Sequence, residues 1–160
     1  MAVKADGNWR SFRHRNYRIL FPANAASNIG TWAQRIAQDW LILQLTGNSG
    51  TYLGLITAVQ FAPVLFFSLH GGALADRVNK RKLLIATNFI GALSSLGLGV
   101  LVLAGNVQVW HVFFFALTLG ISSALDAPIR QSFTSEIVGH SDIANAVSLN
   151  SANFNAGRLI

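Results

Sequence analysis

Long apolar runs, each close to the length of a membrane span, dominate this sequence and alternate with short polar segments. A helix needs roughly 20 apolar residues to cross a hydrocarbon core about 30 Å thick. Only helices and closed barrels satisfy their backbone polar groups inside lipid. We therefore predict an all-α integral membrane fold, with helices at about residues 19–45, 51–71, 83–104, 109–127 and 143–160.

The scarcity of charge excludes a soluble enzyme domain. Charged residues form 11% of the chain, whereas soluble domains carry about 25%. The hydrophobic fraction of 52% also excludes a disordered chain, because disorder requires low hydrophobicity. The sequence has no cysteine, and its four histidines show neither metal-ligand spacing nor a Ser-His-Asp grouping. We accordingly expect no enzyme activity, no metal and no cofactor.

Ten of the twelve basic residues fall on one predicted side of the membrane, in the tail at 1–18, the loop at 76–82 and the polar stretch around Arg130. The turns on the other side, at 47–50 and 105–106, carry none. Because basic loops stay in the cytoplasm, this bias predicts a cytoplasmic amino terminus. The apolar runs between the basic groups exclude a nucleic-acid-binding surface, so the expected surroundings are the lipid bilayer.

Polar side chains form a continuous stripe along the first predicted helix. They recur at offsets of three and four residues and, at about 100° per residue, fall within about 80° of one another. A stripe of this kind must face other helices or a water-filled cavity rather than lipid. Its members are Asn24, Asn28, Thr31, Arg35 and Asp39, with Gln38 on the same face.

A second polar face follows the fifth run, and two polar-striped helices among apolar ones predict a central aqueous path, as in a transporter or channel. Three interpretations of Arg35 and Asp39 stay open. Residues four apart on a helix can pair, so the two form either a structural ion pair that fixes helix packing or part of a substrate or proton pathway. In the third interpretation the helix boundary differs, and both residues lie in the outer interface of the membrane. The second face comprises Ser148, Ser151, Asn155 and Arg158.

Small residues recur at every fourth position in three of the runs. Helices in membranes pack closely where small residues let their backbones approach. We interpret these positions as packing seams, at 50, 54, 58 and 62, at 91, 95 and 99, and at 116, 120 and 124.

The loop between the second and third predicted helices reads Gly72-Ala73-Leu74-Ala75-Asp76-Arg77-Val78-Asn79-Lys80-Arg81-Lys82-Leu83-Leu84. This pattern of glycine, acidic and basic residues resembles the signature loop of the major facilitator superfamily. Asn79 stands where that family usually has Gly, and Asn also tolerates left-handed backbone. The resemblance implies that residues 19–160 form the incomplete amino-terminal six-helix half of a twelve-helix transporter, completed by the remaining carboxy-terminal helices.

The same resemblance implies a gate at the cytoplasmic ends of the helices. Asp76 would cap a helix of the other half in the outward-facing state, and Arg77 would pair with Asp126. The residues that this resemblance assigns to the gate are Gly72, Asp76, Arg77, Arg81, Asp126 and Arg130.

Further stretches are similar to the branch of that superfamily that contains siderophore exporters and macrolide-efflux pumps. They lie at 31–35, 45–47, 126–133, 145–146 and 155–158. The similarity implies proton-coupled efflux of a drug or a siderophore by alternating access, in a bacterial cytoplasmic (inner) membrane. Asp39 is then the protonatable group. The residues expected to serve transport and proton coupling are Arg35, Asp39, Asn24, Asn28, Gln38, Asn155 and Arg158.

Two other functional classes account for part of the pattern. A non-transporting helical module, or the truncated product of a damaged gene, would have the 160-residue chain as its natural end product. A small multidrug pump would form its path as a homodimer, although the loop at 72–84 argues against it. Measuring the mass of the native product would distinguish a module or truncated product of this length from a larger transporter.

Overall fold

The computed structural model describes residues 10–68 and 79–159, which are almost entirely helical. The predicted all-α fold is thus confirmed. The last helical run, Val109–Gly157, is interrupted at Gly139, whose φ of 68° and ψ of 171° are not helical, and we name its two parts α4 (109–138) and α5 (140–157). The preceding elements are a short 3-10 helix at Arg10–Arg13, α1 at Arg15–Leu45, α2 at Gly50–Ser68 and α3 at Lys80–Leu103.

Within the described ranges, three segments are long and apolar enough to cross a membrane: Gly50–Phe67, Lys80–Leu103 and Val109–Gly139. Large apolar side chains of α3, among them Phe89 and Leu96, are exposed on the outside of the bundle. Lipid or further helices must cover such a surface. The 31 residues of α1 are also long enough to span a bilayer, since a helix rises about 1.5 Å per residue, but the polar stripe lowers their hydropathy.

The fourth helix is longer than predicted. The sequence pattern placed Arg130 in a loop after a helix at 109–127, whereas α4 continues through Pro128 and Arg130 to 138. That expectation was wrong because an apolar run marks the thickness of the hydrocarbon core, and a helix can extend beyond it. For the same reason α1, α3 and α5 begin at residues 15, 80 and 140, earlier than the predicted 19, 83 and 143.

Four helices contribute to an apolar core at one end of the bundle. Its buried members are Ile42 of α1, Ile56 of α2, Leu98 of α3, and Val112 and Ala116 of α4. Because lipid is as apolar as these side chains, close packing rather than water exclusion holds the helices together here. This core joins the end of α1 to the starts of α2 and α4.

One predicted packing seam brings α2 and α4 together at Gly120. A Cβ atom added there would lie 2.7 Å from the backbone carbonyl oxygen of Gln60, so no side chain fits. Ala116 and Ala124 of the same seam are buried. The glycines of the seams predicted in α2 and α3 make no close helix contact among the described residues, because a Cβ at Gly50, Gly54, Gly91 or Gly99 meets nothing within 4 Å.

The opposite end of the bundle, which we call the basic end, contains the starts of α1 and α3 and the junction of α4 with α5. Here the 3-10 helix packs on α5. The Ser11 hydroxyl donates to Asn145 Oδ1 at 2.8 Å. Asp142 lies 3.5 Å from Arg10 Nε through one carboxylate oxygen and 3.0 Å from His14 Nε2 through the other. Residues 10–14 are therefore tied to residues more than a hundred positions later.

Tyr17 completes this contact from the first turn of α1. Its ring is fully buried against Val138 and Ala146, and its hydroxyl donates to the carbonyl oxygen of Ala146 at 3.4 Å. Tyr17 precedes the predicted span at 19–45, and burial raises its pKa to about 12. The hydroxyl is protonated at physiological pH with or without this shift, because the ordinary pKa of tyrosine is about 10.

Candidate functional site

A polar cavity of about 450 Å³ lies between α1, α3, α4 and α5. Its volume falls within the range of small-molecule sites, about 300–1,000 Å³. The helices around it are apolar on their outer faces, so polar side chains are concentrated on the wall. The polar residues on that wall include Asn24, Ser27, Asn28, Thr31, Gln34, Arg35, Thr87, Asn88, Ser95, Ser122, Ser123, Asp126, Arg130, Asn150 and Asn153.

Three residues predicted for transport, Asn24, Asn28 and Arg35, lie on this wall. All three belong to α1. Their side chains follow one face of the helix, as the periodicity indicated. The polar stripe of α1 therefore has two parts. One part lines the cavity, whereas Gln38 and Asp39 contact α2.

The residues of α5 that face the cavity differ from those predicted. Asn150 and Asn153 reach the cavity, whereas Asn155 donates to the carbonyl oxygen of Ser151 at 2.8 Å and lies outside the lining. The guanidinium carbon of Arg158 is 5.1 Å from the Trp32 ring centroid. Polar residues occur nearly all around α5, so helical periodicity alone did not indicate which of them face inward.

Asp126 and Arg130 form an ion pair at the basic side of the cavity, with Arg130 Nη2 2.6 Å from Asp126 Oδ2. The other carboxylate oxygen of Asp126 accepts from Thr87 Oγ1 at 3.0 Å and Asn88 Nδ2 at 3.3 Å. Arg130 also donates through Nη1 to Asn24 Oδ1. This network connects α1, α3 and α4, and its α3 members were missed because two polar residues near the start of an apolar run gave no distinct signal.

The remaining residues of the predicted gate are less fully described. Gly72, Asp76 and Arg77 lie outside the described residues, so the expected pairing of Arg77 with Asp126 stays a prediction. Arg81 is exposed in the first turn of α3. Asn79 caps that helix, because its Oδ1 accepts from the backbone amide of Lys82 at 3.1 Å.

Arg35 is 7% exposed and lies between two aromatic rings. Its guanidinium carbon is 4.5 Å from the Phe61 ring centroid and 5.2 Å from that of Trp32. Attraction between a cation and the face of an aromatic ring favours this position. Among the described residues no carboxylate lies within ion-pairing distance of Arg35, and the Arg35–Asp39 pair anticipated from their spacing is absent.

The reason is that Asp39 finds a different partner on α2. Gln60 Nε2 donates to Asp39 Oδ1 and to Gln38 Oε1, both at 3.2 Å. Gln38 and Gln60 are fully buried. Gln60 was not predicted, although a lone amide within the apolar run of α2 was the signal that could have identified it.

Asn28 links α1 to α5 on the cavity wall. Its Nδ2 donates to the carbonyl oxygen of Asn153 at 2.9 Å. Gly157 permits this approach, since a Cβ added there would lie 2.5 Å from Asn28 Nδ2. The polar stripe of α1 thus serves partly to hold neighbouring helices and partly to line the cavity.

Two characterised transporters are similar to this chain. The staphyloferrin A transporter of Staphylococcus aureus (strain NCTC 8325 / PS 47) is 29% identical over 144 residues, covering 89% of this chain and 36% of the relative. The multidrug efflux pump Tap of Mycolicibacterium fortuitum is 27% identical over 147 residues, with the same two shares. The chain therefore spans about a third of the length of these relatives. No solved structure matches it.

The family comparison covers more of the chain than either relative. Residues 6–160 match the family described as transmembrane secretion effector. The match includes all five helices, the polar cavity and the signature loop. Together with the all-α membrane-spanning fold, it shows that the chain belongs to the transmembrane secretion effector family of the major facilitator superfamily, whose members are multi-pass membrane transporters.

Proposed function

We propose that this chain belongs to a secondary active exporter that moves a drug or a siderophore out of a bacterial cell in exchange for protons. The observation that carries the proposal is the polar cavity enclosed by apolar helices, with the buried cation Arg35 on its wall. Charged side chains within membrane helices are costly and mark transport pathways. The functions named for the two relatives, staphyloferrin A transport and multidrug efflux, support the same class.

Alternating access requires a second set of helices around the substrate. Major facilitator transporters place the site near the bilayer midplane between two halves. Because the chain spans 36% of each relative, we assign its helices to the amino-terminal half and the missing wall to the other half. The amino terminus is then cytoplasmic, since basic residues cluster at the tail, at 80–82 and at Arg130.

In the proposed exporter, the cytoplasmic gate lies at the basic end of the bundle. Asp126 and Arg130 are already joined to α1 and α3 by the network around them. Gly72, Asp76 and Arg77 lie in the sequence between α2 and α3, and Arg81 follows in the first turn of α3. A charged latch at this place would close the cavity toward the cytoplasm.

Asp39 is the proposed proton carrier. Its carboxylate accepts a hydrogen bond from the neutral amide of Gln60. Arg35, four residues earlier on α1, interacts with it electrostatically without forming a close ion pair among the described residues. A carboxylate that no close ion pair holds can gain and lose a proton with little rearrangement. Asp126, by contrast, is engaged by Arg130, Thr87 and Asn88 and suits the gate better than the coupling step.

The test replaces Asp39 by Asn in the full-length protein and measures ethidium uptake into everted membrane vesicles with an acidic lumen, because export by the cell corresponds to uptake in this orientation. We expect Asp39→Asn to abolish proton-driven efflux while membrane insertion stays intact, because the amide cannot carry the proton. Glu136→Gln is the matched control, since Glu136 is an exposed carboxylate whose ion pair with Lys80 contributes little. Unchanged proton-driven efflux in Asp39→Asn would refute the assignment.

A further inference from the structure

Two fully buried amides join α1 to α2, and we call Gln38 and Gln60 the amide pair. Gln60 Nε2 donates to Gln38 Oε1 and to Asp39 Oδ1, each at 3.2 Å. An amide nitrogen carries two N–H groups, so one is available for each acceptor. Polar side chains inside membrane helices are costly and mark functional contacts. The amide pair therefore places a carboxylate of α1 in direct contact with a neutral donor of α2.

The backbone of Gln60 is held where three helices meet. Its side chain faces α1, whereas its backbone carbonyl oxygen lies against Gly120 of α4, at which an added Cβ would be only 2.7 Å away. Ile56, one turn earlier on α2, belongs to the apolar core. Close packing of this kind resists movement of the helix. A change at Asp39 is therefore met more easily by rotation of the Gln60 amide than by displacement of α2.

Two groups act on the ionised carboxylate of Asp39 among the described residues. The guanidinium of Arg35, on the same helix, attracts it electrostatically, and the amide of Gln60, on α2, donates a hydrogen bond to it. Arg35 forms no close ion pair with Asp39 within the described ranges. Gln60 is therefore the residue that makes direct contact with Asp39 and is placed to respond when that carboxylate gains a proton.

One donor of the amide pair has no acceptor in the observed arrangement. Gln38 Nε2 is buried without a hydrogen-bond partner among the described residues. A half-turn of a side-chain amide exchanges its nitrogen and oxygen and preserves its shape. If both amides reversed, Gln38 Nε2 would donate to Gln60 Oε1, and the atom left without a partner would be an oxygen. Buried N–H groups without an acceptor are rarer than carbonyl oxygens without a donor, so the reversed arrangement is accessible to this pair.

A proton on Asp39 Oδ1 favours the reversed arrangement. The protonated carboxyl has an O–H group that must donate, and the amide nitrogen of Gln60 cannot accept. The oxygen of a reversed Gln60 has two lone pairs, one for the Asp39 O–H and one for Gln38 Nε2. The observed arrangement thus fits the ionised form of Asp39, and the reversed arrangement fits its protonated form.

We propose that Gln60 is a positioning residue for proton coupling, and that Gln38 and Gln60 exchange donor and acceptor together whenever Asp39 gains or loses its proton. This inference rests on the proposed function, in which Asp39 carries the proton, and it names the residues that accommodate both of its forms. The proton stays on the Asp39 carboxyl and none passes along the amides. Asp39 keeps a hydrogen bond in either form without displacement of α1 from α2.

Infrared difference spectroscopy of the purified full-length protein in liposomes, recorded across a pH titration, follows both groups. Glutamine labelled with carbon-13 at the side-chain carbonyl separates its band from other amides. We expect a carboxyl C=O band and a change in the labelled glutamine band to titrate with one midpoint, and both to be lost in Asp39→Asn. The absence of any band that depends on Asp39, a carboxyl band without a glutamine change, or a glutamine change that persists undiminished in Asp39→Asn would overturn the proposal.

Variants of the amide pair test the order of the contacts. Gln38→Met should keep the response of the Gln60 band, because Gln60 contacts Asp39 directly. Gln60→Met should abolish the response of Gln38 as well, since Gln60 lies between the two. Gln44→Met is the matched control, an exposed glutamine of the same helix, and should leave the spectra unchanged. A full glutamine response in Gln60→Met, or none in Gln38→Met, would overturn the proposal. If Gln60→Met does not fold, Gln38→Met and Asp39→Asn still decide.

Ethidium uptake into everted vesicles with an acidic lumen separates this inference from the proposed function. Gln60→Met is expected to slow proton-driven uptake about tenfold or more, since a hydrogen bond to a charged group changes an equilibrium by about that factor, and unchanged uptake would overturn the positioning role. Loss of uptake in Asp39→Asn without a glutamine response would keep the exporter and remove the amide reversal. A glutamine response that titrates with Asp39, in a protein whose Asp39→Asn variant still transports, would support the reversal and remove Asp39 as the proton carrier.

Discussion

At the scale of single residues, the environment of Arg35 differs most from expectation. Its spacing from Asp39 favoured an ion pair, yet Gln60 of α2 binds that carboxylate at 3.2 Å. The guanidinium instead packs against Phe61 and Trp32. Helical spacing shows which side chains can meet on one helix, whereas the partner in each case comes from another helix and depends on tertiary packing.

Gly120 is a residue at which one added carbon should be costly. Gly120→Ala would place a Cβ 2.7 Å from the backbone oxygen of Gln60, so α2 and α4 would have to separate. We expect a loss of about 1–3 kcal/mol in stability, typical of overpacked sites. Detergent-induced unfolding of the purified full-length protein measures it.

Gly99→Ala is the control for this prediction. A Cβ at Gly99 meets nothing within 4 Å in the described part of the bundle, and alanine favours helix over glycine. Its stability should therefore equal or slightly exceed that of the unmodified protein. If Gly120→Ala proved as stable as Gly99→Ala, the close approach of α2 and α4 would be contradicted.

At the scale of elements, the junction of α4 and α5 sets which polar residues of α5 face the cavity. Gly139 has φ 68° and ψ 171°, a combination that is essentially restricted to glycine. The break directs α5 back along the bundle, where Asn150 and Asn153 reach the cavity. The contacts of Ser11, His14 and Tyr17 with the start of α5 hold this geometry.

Substituting Gly139 tests this junction. Gly139→Ala should lose about 1–3 kcal/mol of stability, because the backbone conformation is strained for any residue with a Cβ. Gly54→Ala serves as the comparison, since it places the same Cβ in a regular helix with nothing within 4 Å among the described atoms. Thermal unfolding followed by circular dichroism measures both variants. Equal melting temperatures would show that α4 and α5 can join without the glycine conformation.

At the scale of the whole molecule, the proposed exporter requires more helices than the described bundle supplies. Its polar cavity is bounded by α1, α3, α4 and α5, while large apolar side chains such as Phe89 and Leu96 face outward. Alternating access between two halves requires a second bundle against the polar side. The 36% share of both relatives agrees with a larger protein of that kind.

The mass of the native product extracted from its membrane tests this larger assembly. Two packed helix bundles imply a species of about 40 kDa or more, and intact-mass spectrometry measures it directly. We expect that result. A native species of 17.3 kDa would instead favour a small helical module and would remove the two-bundle mechanism.

The all-α membrane fold, the separation of polar from apolar faces and, through the loop at 72–84, the superfamily could be predicted from the amino-acid sequence alone. These properties follow from local composition and helical periodicity, so each can be read without knowing any neighbour. Tertiary structure decided that Arg130 continues a helix, that Asp39 pairs with Gln60, and that Asn150 and Asn153 rather than Asn155 line the cavity. These outcomes depend on how helices rotate and which surfaces meet. The periodicity of one helix does not specify the rotation of the next, and therefore the contact of Gln60 with Gln38 and Asp39 became visible only in the folded bundle.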